Sequence, residues 1–243
     1  MPAQVSAHEV AARHFRYFDF VMAAFVAIIL LSNVVGAGKV AQVWLPGFDV
    51  WWPFGAGILF FPLSYVIGDV LTEVYGYAGA RRVIWAGTVA VLFMALMSWV
   101  VVALPPAPSW TNQGAYETIF GQVPRIVLAS VCAFWAGEFV NSYVLARMKV
   151  WTRGKALWAR TIGSTIAGQG VDSLIFYPLA FWGAAGWTNE LVITVLLTQW
   201  LFKVSWEVIL TPVTYLVVGF LKRREGVDIF DKDTDFTPFT AQV

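Results

Sequence analysis

Six runs of about 20 mostly apolar residues follow one another through this chain, and each is long enough to cross the hydrocarbon core of a bilayer as a helix. They cover residues 20–38, 53–75, 83–104, 125–146, 161–184 and 190–221. Their length and lack of alternation favour helices over barrel strands, because backbone groups in lipid must find their partners within the protein. Of the 243 residues, 59% are hydrophobic and 13% charged, about half the charged share of a soluble domain. The expected fold class is all-α: a polytopic membrane protein of six transmembrane helices. The first run is too long for a secretory leader, and no A-x-A site follows it.

Basic residues orient the helices. Arg13 and Arg16 precede the first run, Arg81 and Arg82 lie between the second and third, and Lys222, Arg223 and Arg224 follow the sixth. Arg147, Lys149, Arg153, Lys155 and Arg160 lie between the fourth and fifth. The other connections hold only Lys39, with Arg125 at a boundary. Lys and Arg favour the cytoplasmic side, so both termini are expected there. Residues 1–16 then form a cytoplasmic N-terminal segment, 17–221 the six-helix transmembrane domain, and 222–243 a polar, acidic, loosely ordered cytoplasmic tail. The longest outer connection, 105–124, has room for an interfacial segment. Trp44, Trp51, Trp52, Trp99, Trp110 and Trp187 fall near outer boundaries, as an aromatic belt would.

Several function classes are disfavoured. A formal net charge of +1 gives no sign of a nucleic-acid partner. The single cysteine, Cys132, reads as core packing, and His8 and His14 both precede the first run. A metal site is therefore not expected, nor is a cofactor. There is no G-x-x-x-x-G-K-[ST] loop for ATP hydrolysis. No Ser/His pair or His-rich set lies within the runs, which argues against an intramembrane enzyme.

The polar residues inside the runs carry the functional question. In "GDVLTEVYGYAGARR" (68–82), Asp69 and Glu73 share one helix face, and Arg81 and Arg82 follow closely. Glu138, Asp172, Lys203 and Glu207 sit within later runs. Each charge at a bilayer centre costs about 2.5–3.5 kcal/mol on insertion scales, so such residues must face one another, a cavity or an end of the bundle. Two readings stay open for Glu73 and Arg82: an ion-pair clamp, or a substrate or gating role. Two stay open for Asp172 and Glu207: a substrate site, or a structural arrangement in which Lys203 pairs with Glu207 four residues on. Asn33, Asn141 and Gln169 add hydrogen-bonding groups that serve either as interhelical contacts or as cavity lining. Gly163, Ala167 and Gly170 suggest close packing of the fifth helix, or a local break at "GQG". Carboxylates, amides and aromatic rings suit a planar heterocycle with a donor edge, although sugars or a cation fit some of these groups too.

Three segments are specific enough to carry a resemblance: "FPLSYVIGDVLTEVYGYAGARRVIW", "EFVNSYVLARMKVWTRGKALWARTIGSTIAGQGVDSLIFYPLAF" and "LFKVSWEVILTPVTYLVV", continuing into "EGVDIFDKDTDFTPF". They resemble the queuosine precursor transporter family, also called the vitamin uptake transporter family, over nearly the whole chain. The resemblance implies a six-helix, multi-pass importer in the cell inner membrane. Its small-molecule substrates would be 7-deazaguanines such as 7-cyano- and 7-aminomethyl-7-deazaguanine, which feed queuosine modification of transfer RNA. It carries over Asn33, Asp69, Glu73, Glu138, Asn141, Asp172, Lys203 and Glu207 as substrate-site positions, and Arg81 and Arg82 as gating or ion-pair positions. At Gln169 an acid is expected in many relatives. A membrane subunit that relies on a separate energising module is the alternative reading. The lipid bilayer is the expected surroundings, and the small-residue face allows a homodimer.

Overall fold

The computed structural model describes residues 3–6, 15–36, 40–45, 47, 49–55, 59–121, 124–184 and 187–240. His8, Arg13, His14 and Lys39 lie outside the described residues. In chain order the elements are β1 (Ala3–Ser6), α1 (Phe18–Leu31) running into a π-helical turn (Ser32–Gly36), β2 (Val40–Leu45), β3 (Val50–Gly55), α2 (Phe61–Ala103), α3 (Gln113–Phe120), α4 (Pro124–Trp151), α5 (Leu157–Phe181), α6 (Asn189–Glu225) and β4 (Val227–Phe230). The chain is mostly helical. Among the described residues, four stretches are long and apolar enough to cross a membrane: Phe18–Val35, Pro62–Ala103, Gln113–Trp151 and Asn189–Glu225. Helix α5 is also long, but it buries Thr161, Ser164, Thr165, Gln169 and Ser173, which lowers its apolar content.

The outward faces are as apolar as the interior. Leu63, Phe93, Leu96, Leu174, Ile209 and Leu216 are each at least half exposed. A soluble protein does not present apolar surface on that scale to water, whereas hydrocarbon accepts it. The chain is a multi-pass membrane protein. Between the helices, Phe18, Phe25, Val70, Leu71, Val74, Tyr75 and Val83 form the largest apolar cluster, mostly α1 against α2.

Helix α2 has 43 residues and would be about 65 Å long if straight, twice the hydrocarbon thickness. It is not continuous. Gly76 has φ 76° and ψ 174°, a conformation that only glycine adopts at little cost. A Cβ there would also meet Cγ2 of Ile229 at 2.9 Å. The break exposes the N–H groups of a new helix start. Tyr77 N–H donates to both carboxylate oxygens of Asp231, each at 3.1 Å. Helix α6 is capped conventionally at both ends: Thr188 Oγ1 accepts from Leu191 N–H at 3.2 Å, and the Gly226 N–H, at φ 69°, donates to Lys222 O at 3.0 Å.

The two ends of the chain meet. Strand β1 pairs in parallel with β4, from Ala3↔Val227 to Ser6↔Phe230. Beside them the Glu225 carboxylate, at the end of α6, accepts from the N–H groups of Arg16 (3.0 Å) and Tyr17 (2.8 Å) and from the Tyr75 hydroxyl (3.0 Å). It serves as the cap that α1 lacks in its own sequence.

Several expectations need correction. The second apolar run does not start as helix at residue 53. An antiparallel hairpin, β2–β3, occupies residues 40–55, with Val40 opposite Gly55 and Leu45 opposite Val50. The alternating "VAQVWL", followed by "PGFD" with Gly47 at φ 102° and Asp49 at φ 54°, is a hairpin signal concealed by the general apolarity. The tail is not loose. Val227, Ile229, Phe230 and Asp231 are buried, and the rings of Phe236 and Phe239 pack on Tyr77, Trp85 and Trp135. Trp85 Nε1 donates to Pro238 O at 2.8 Å. Cys132 is exposed rather than in the core. Trp44, Trp51, Trp99 and Trp110 are exposed, as a belt requires, but Trp187 stacks on Phe181 at 4.1 Å; the Trp52 side chain lies outside the described residues. The connection 105–124 does hold a short helix, α3.

Candidate functional site: two charge clusters one turn apart

Asp69 and Glu73 are both fully buried on α2, yet they belong to different environments. Glu73 Oε1 receives Arg160 Nη2 at 2.8 Å and Lys222 Nζ at 2.6 Å, with Lys149 Nζ at 3.5 Å. Lys149 Nζ also donates to Glu73 O (2.7 Å) and Ile229 O (2.6 Å), and it pairs with Asp228 at 2.7 Å. Lys222 reaches the same Asp228 oxygen at 2.6 Å. Two acids are thus held by three cations from α4, α5 and α6, and β4 is tied into the cluster. Burial works against the charge of Asp228, but Lys149 and Lys222 outweigh it and hold its carboxyl below the ordinary range. Burial raises Asp231, with Thr234 and the Tyr77 N–H opposing.

Of the two readings left open for Glu73 and Arg82, the ion-pair clamp forms at Glu73, but with Lys149, Arg160 and Lys222 in place of Arg82. Arg82 is exposed, with its guanidinium over the Phe18 ring at 6.0 Å. Arg81 Nη1 donates to Asp235 O (2.8 Å) and Thr237 O (2.9 Å), so it fastens the tail.

Asp69 has a different neighbourhood. Its Oδ1 accepts from Asn141 Nδ2 at 2.9 Å, and its closest charged neighbours are Glu207, Glu138 and Glu73. Glu138 lies at the midpoint of α4 and Glu207 at the midpoint of α6. Glu138 in turn adjoins Asp172 and Lys203. Lys203 pairs with Asp172 across α5 and α6, and not with Glu207. Four carboxylates from four helices thus share one lysine. The Asp69 and Glu207 carboxyls hydrogen-bond each other, and Asn141 Oδ1 is buried without a hydrogen-bond partner. Tyr65 and Tyr177 border Asp172. The Asp172 and Lys203 side chains keep 19% and 13% exposure, so the cluster opens to accessible space on that side. Among the described residues, no group of acids, His or Cys converges closely enough to hold a metal ion.

Close helix packing aims these side chains. A Cβ on Gly168 would meet Asn141 Cβ at 2.6 Å and Gly137 O at 2.8 Å. One on Gly137 would meet Asp172 Cβ at 2.9 Å. Two glycines facing each other bring α4 and α5 together and place Glu138, Asn141 and Asp172 at their crossing. This contact uses Gly168, whereas Gly163 packs against Met148 and Gly170 against Trp200. Gln169 is buried on α5 beside the crossing. Asn33 is elsewhere. Its Nδ2 donates to Ile29 O at 2.9 Å, and it lines a separate apolar cavity of about 650 Å³ with Val91, Met94, Trp99 and Val127.

Of the positions singled out from sequence, the structure gathers Asp69, Glu138, Asn141, Asp172, Lys203 and Glu207, and assigns Glu73, Arg81 and Arg82 to other contacts. Lys149, Arg160 and Lys222, read from sequence as loop charges, prove to be ion-pair partners, the first two buried and the third half-buried. Tyr65 and Tyr177 carried no signal beyond being aromatic.

Residues 55–217 match the family described as "Putative vitamin uptake transporter". A "Probable queuosine precursor transporter" of Bacillus subtilis (strain 168) is 32% identical over 158 residues, 65% of this chain and 68% of that protein. The "Queuosine precursor transporter" of Escherichia coli (strain K12) is 27% identical over 180 residues, 73% of this chain and 77% of that protein. No solved structure matches.

Proposed function

The chain belongs to the vitamin uptake transporter family, and from that premise we propose that it imports queuosine precursors across the cell inner membrane. The family is one of transporters, not enzymes. The substrates on this reading are 7-deazaguanines such as 7-cyano- and 7-aminomethyl-7-deazaguanine, destined for queuosine modification of transfer RNA. One observation carries the reading: the Asp69 and Glu207 carboxyls meet between α2 and α6, beside the buried and unpartnered Asn141 Oδ1. A guanine-type edge, with an N1–H and an exocyclic amine side by side, supplies two donors to one carboxylate. Tyr65 and Tyr177 offer ring faces for stacking. Acceptors that do not converge on a point suit an extended planar ligand better than an ion.

Six crossings with both termini cytoplasmic are part of the proposal. The basic-residue alternation supports it, as does the interruption of α2 at Gly76. Accessibility labelling checks it: a tail beyond Lys222 that labels only from outside refutes it. A homodimer is a separate proposal, for which the apolar outer faces leave room. A detergent-corrected mass of twice 27.0 kDa is the expected outcome, and a single-chain mass across concentrations refutes it.

The transport reading is tested with purified protein in liposomes and a radiolabelled precursor. Uptake above empty liposomes, without other proteins, is expected. Uptake that appears only when an ATP-hydrolysing partner is supplied favours the reading of a substrate-binding membrane subunit.

A further inference from the structure

The Asp69 and Glu207 carboxyls hydrogen-bond each other, and the two residues are 0% and 1% exposed. An ionised carboxylate only accepts hydrogen bonds, so two of them have no hydrogen to share. Among the described residues no N–H or hydroxyl group reaches Asp69 Oδ2 or either Glu207 oxygen, and Asn141 Nδ2 is directed at Asp69 Oδ1. The hydrogen between the carboxyls therefore belongs to one of them: the pair carries a proton. Its surroundings favour keeping it. On α2, Glu73 lies one turn away and already holds Lys149, Arg160 and Lys222. Helix α4 brings Glu138 and Asn141, and beside Glu138 stand Asp172 of α5 and Lys203 of α6, paired with each other. Helix α1 brings the apolar ring of Phe25 towards Gly68. The charges nearest the pair are thus acids, and the cations of this region are engaged with other carboxylates. Two carboxyls in contact do not both ionise readily in such a setting.

Resting on the transport reading above, we propose that this contact is a one-proton latch between α2 and α6, and that binding of a precursor releases its proton. While the proton is in place, the hydrogen bond holds the two helices together. With the proton gone, two negative carboxylates face each other and repel, which parts α2 from α6. The opened site takes the guanine edge, whose N1–H and exocyclic amine give one carboxylate two donors in place of the single shared hydrogen. Asn141 Oδ1, on a residue 4% exposed and without a hydrogen-bond partner, accepts the second hydrogen of the amine. One O–H bond breaks at the pair, the proton leaves to water on the side from which the precursor enters, and the precursor is bound unchanged. Affinity then follows the fraction of protein whose latch is deprotonated. That fraction falls as pH is lowered through the titration of the pair, so binding weakens on acidification.

The test uses the purified full chain and 7-cyano-7-deazaguanine, which is neutral near pH 7 and brings no titrating group of its own. Calorimetry in two buffers of different ionisation heat counts the protons. Release of about one proton per precursor bound is expected, with affinity falling about tenfold per pH unit on the acid side. The infrared carbonyl band of a protonated carboxyl should be present in the ligand-free protein and fade on binding. Glu207→Gln and Asp69→Asn replace the shared hydrogen by an amide N–H that cannot be released. At precursor concentrations high enough to offset their weaker binding, both should release no proton, with monodispersity measured alongside. Binding to the wild-type chain without proton release overturns the proposal and leaves the transport reading in place. Binding of neither the 7-cyano nor the 7-aminomethyl compound overturns the two together. Proton release that persists undiminished in both well-folded variants overturns the assignment to this pair. If neither variant folds, the wild-type infrared band decides: its absence before the precursor is added overturns the latch.

Discussion

Asp69 and Glu73 stand one turn apart on α2, equally buried, and the chain treats them in opposite ways. Around Glu73 it assembles three cations from three helices and ties a strand of the tail to them. Around Asp69 it assembles two more acids and an amide, with Asp69 and Glu207 hydrogen-bonded to each other. The difference teaches how to read charge inside a membrane protein. Insertion cost alone marks both residues as exceptional. Only the balance of partners separates a charge held by cations of three helices from one set among other acids.

The comparison predicts different readouts for similar substitutions. The largest effect should come from Glu73→Gln, which leaves Lys149, Arg160 and Lys222 facing Asp228 alone. Breaking a buried ion pair costs about 3–5 kcal/mol, visible as a lower thermal midpoint in detergent. An unchanged midpoint would remove the distinction between the clusters. Next, Glu207→Gln should change the midpoint little, since the amide keeps a hydrogen-bonding group beside Asp69. Precursor binding should weaken about 10- to 150-fold. If binding is retained there and in Asp69→Asn, recognition moves to Asn141, Gln169 or Asn33. Per folded molecule, Asp69→Asn should impair uptake more than Glu73→Gln.

A smaller effect comes from the scaffold beneath the ligand-facing cluster. Gly168→Ala places a methyl group 2.6 Å from Asn141 Cβ, where neither helix can yield easily. About 1–3 kcal/mol of destabilisation is expected, with weaker precursor binding because Asn141 and Asp172 are displaced. The smallest effect is on pH dependence. With its folded carboxyl below the ordinary range, Asp228 contributes stability above the unfolded value of about 3.9. That contribution is lost as pH falls through the depressed folded value. Hydrogen exchange at residues 227–230 should therefore show the Asp228 contribution intact at pH 5 and reduced below pH 4. Loss of that contribution already between pH 7 and 5 would contradict the charge balance around Asp228.

Much of the scaffold was legible because the helices in lipid need long, unbroken apolar runs, and such runs are visible without knowing what touches what. The acids of the Asp69 cluster were legible for the same reason, as exceptions within those runs. Their partners were not. Lys149, Arg160 and Lys222 lie 76, 87 and 149 residues from Glu73, and nothing local distinguishes them from ordinary loop charges. The pairing of Lys203 with Asp172 rather than Glu207 depends on how α5 meets α6. The hairpin at 40–55 was obscured because its residues are as apolar as the helix that follows. The tail looked loose from its Asp and Thr content, although Ile229, Phe230, Phe236 and Phe239 supply the apolar side that docks it.

The joining of the chain's two ends carries a consequence of another kind. Strand β1 lies beside β4, and Glu225 caps the start of α1, so the entrance to the first helix and the exit from the last share one face of the bilayer. A path that leaves a plane and returns to the same side must cross it an even number of times. On the proposed topology, five crossings are therefore excluded whatever the hydropathy of any one helix. Either α5 traverses the membrane along with both arms of α2, or two of the segments turn back together.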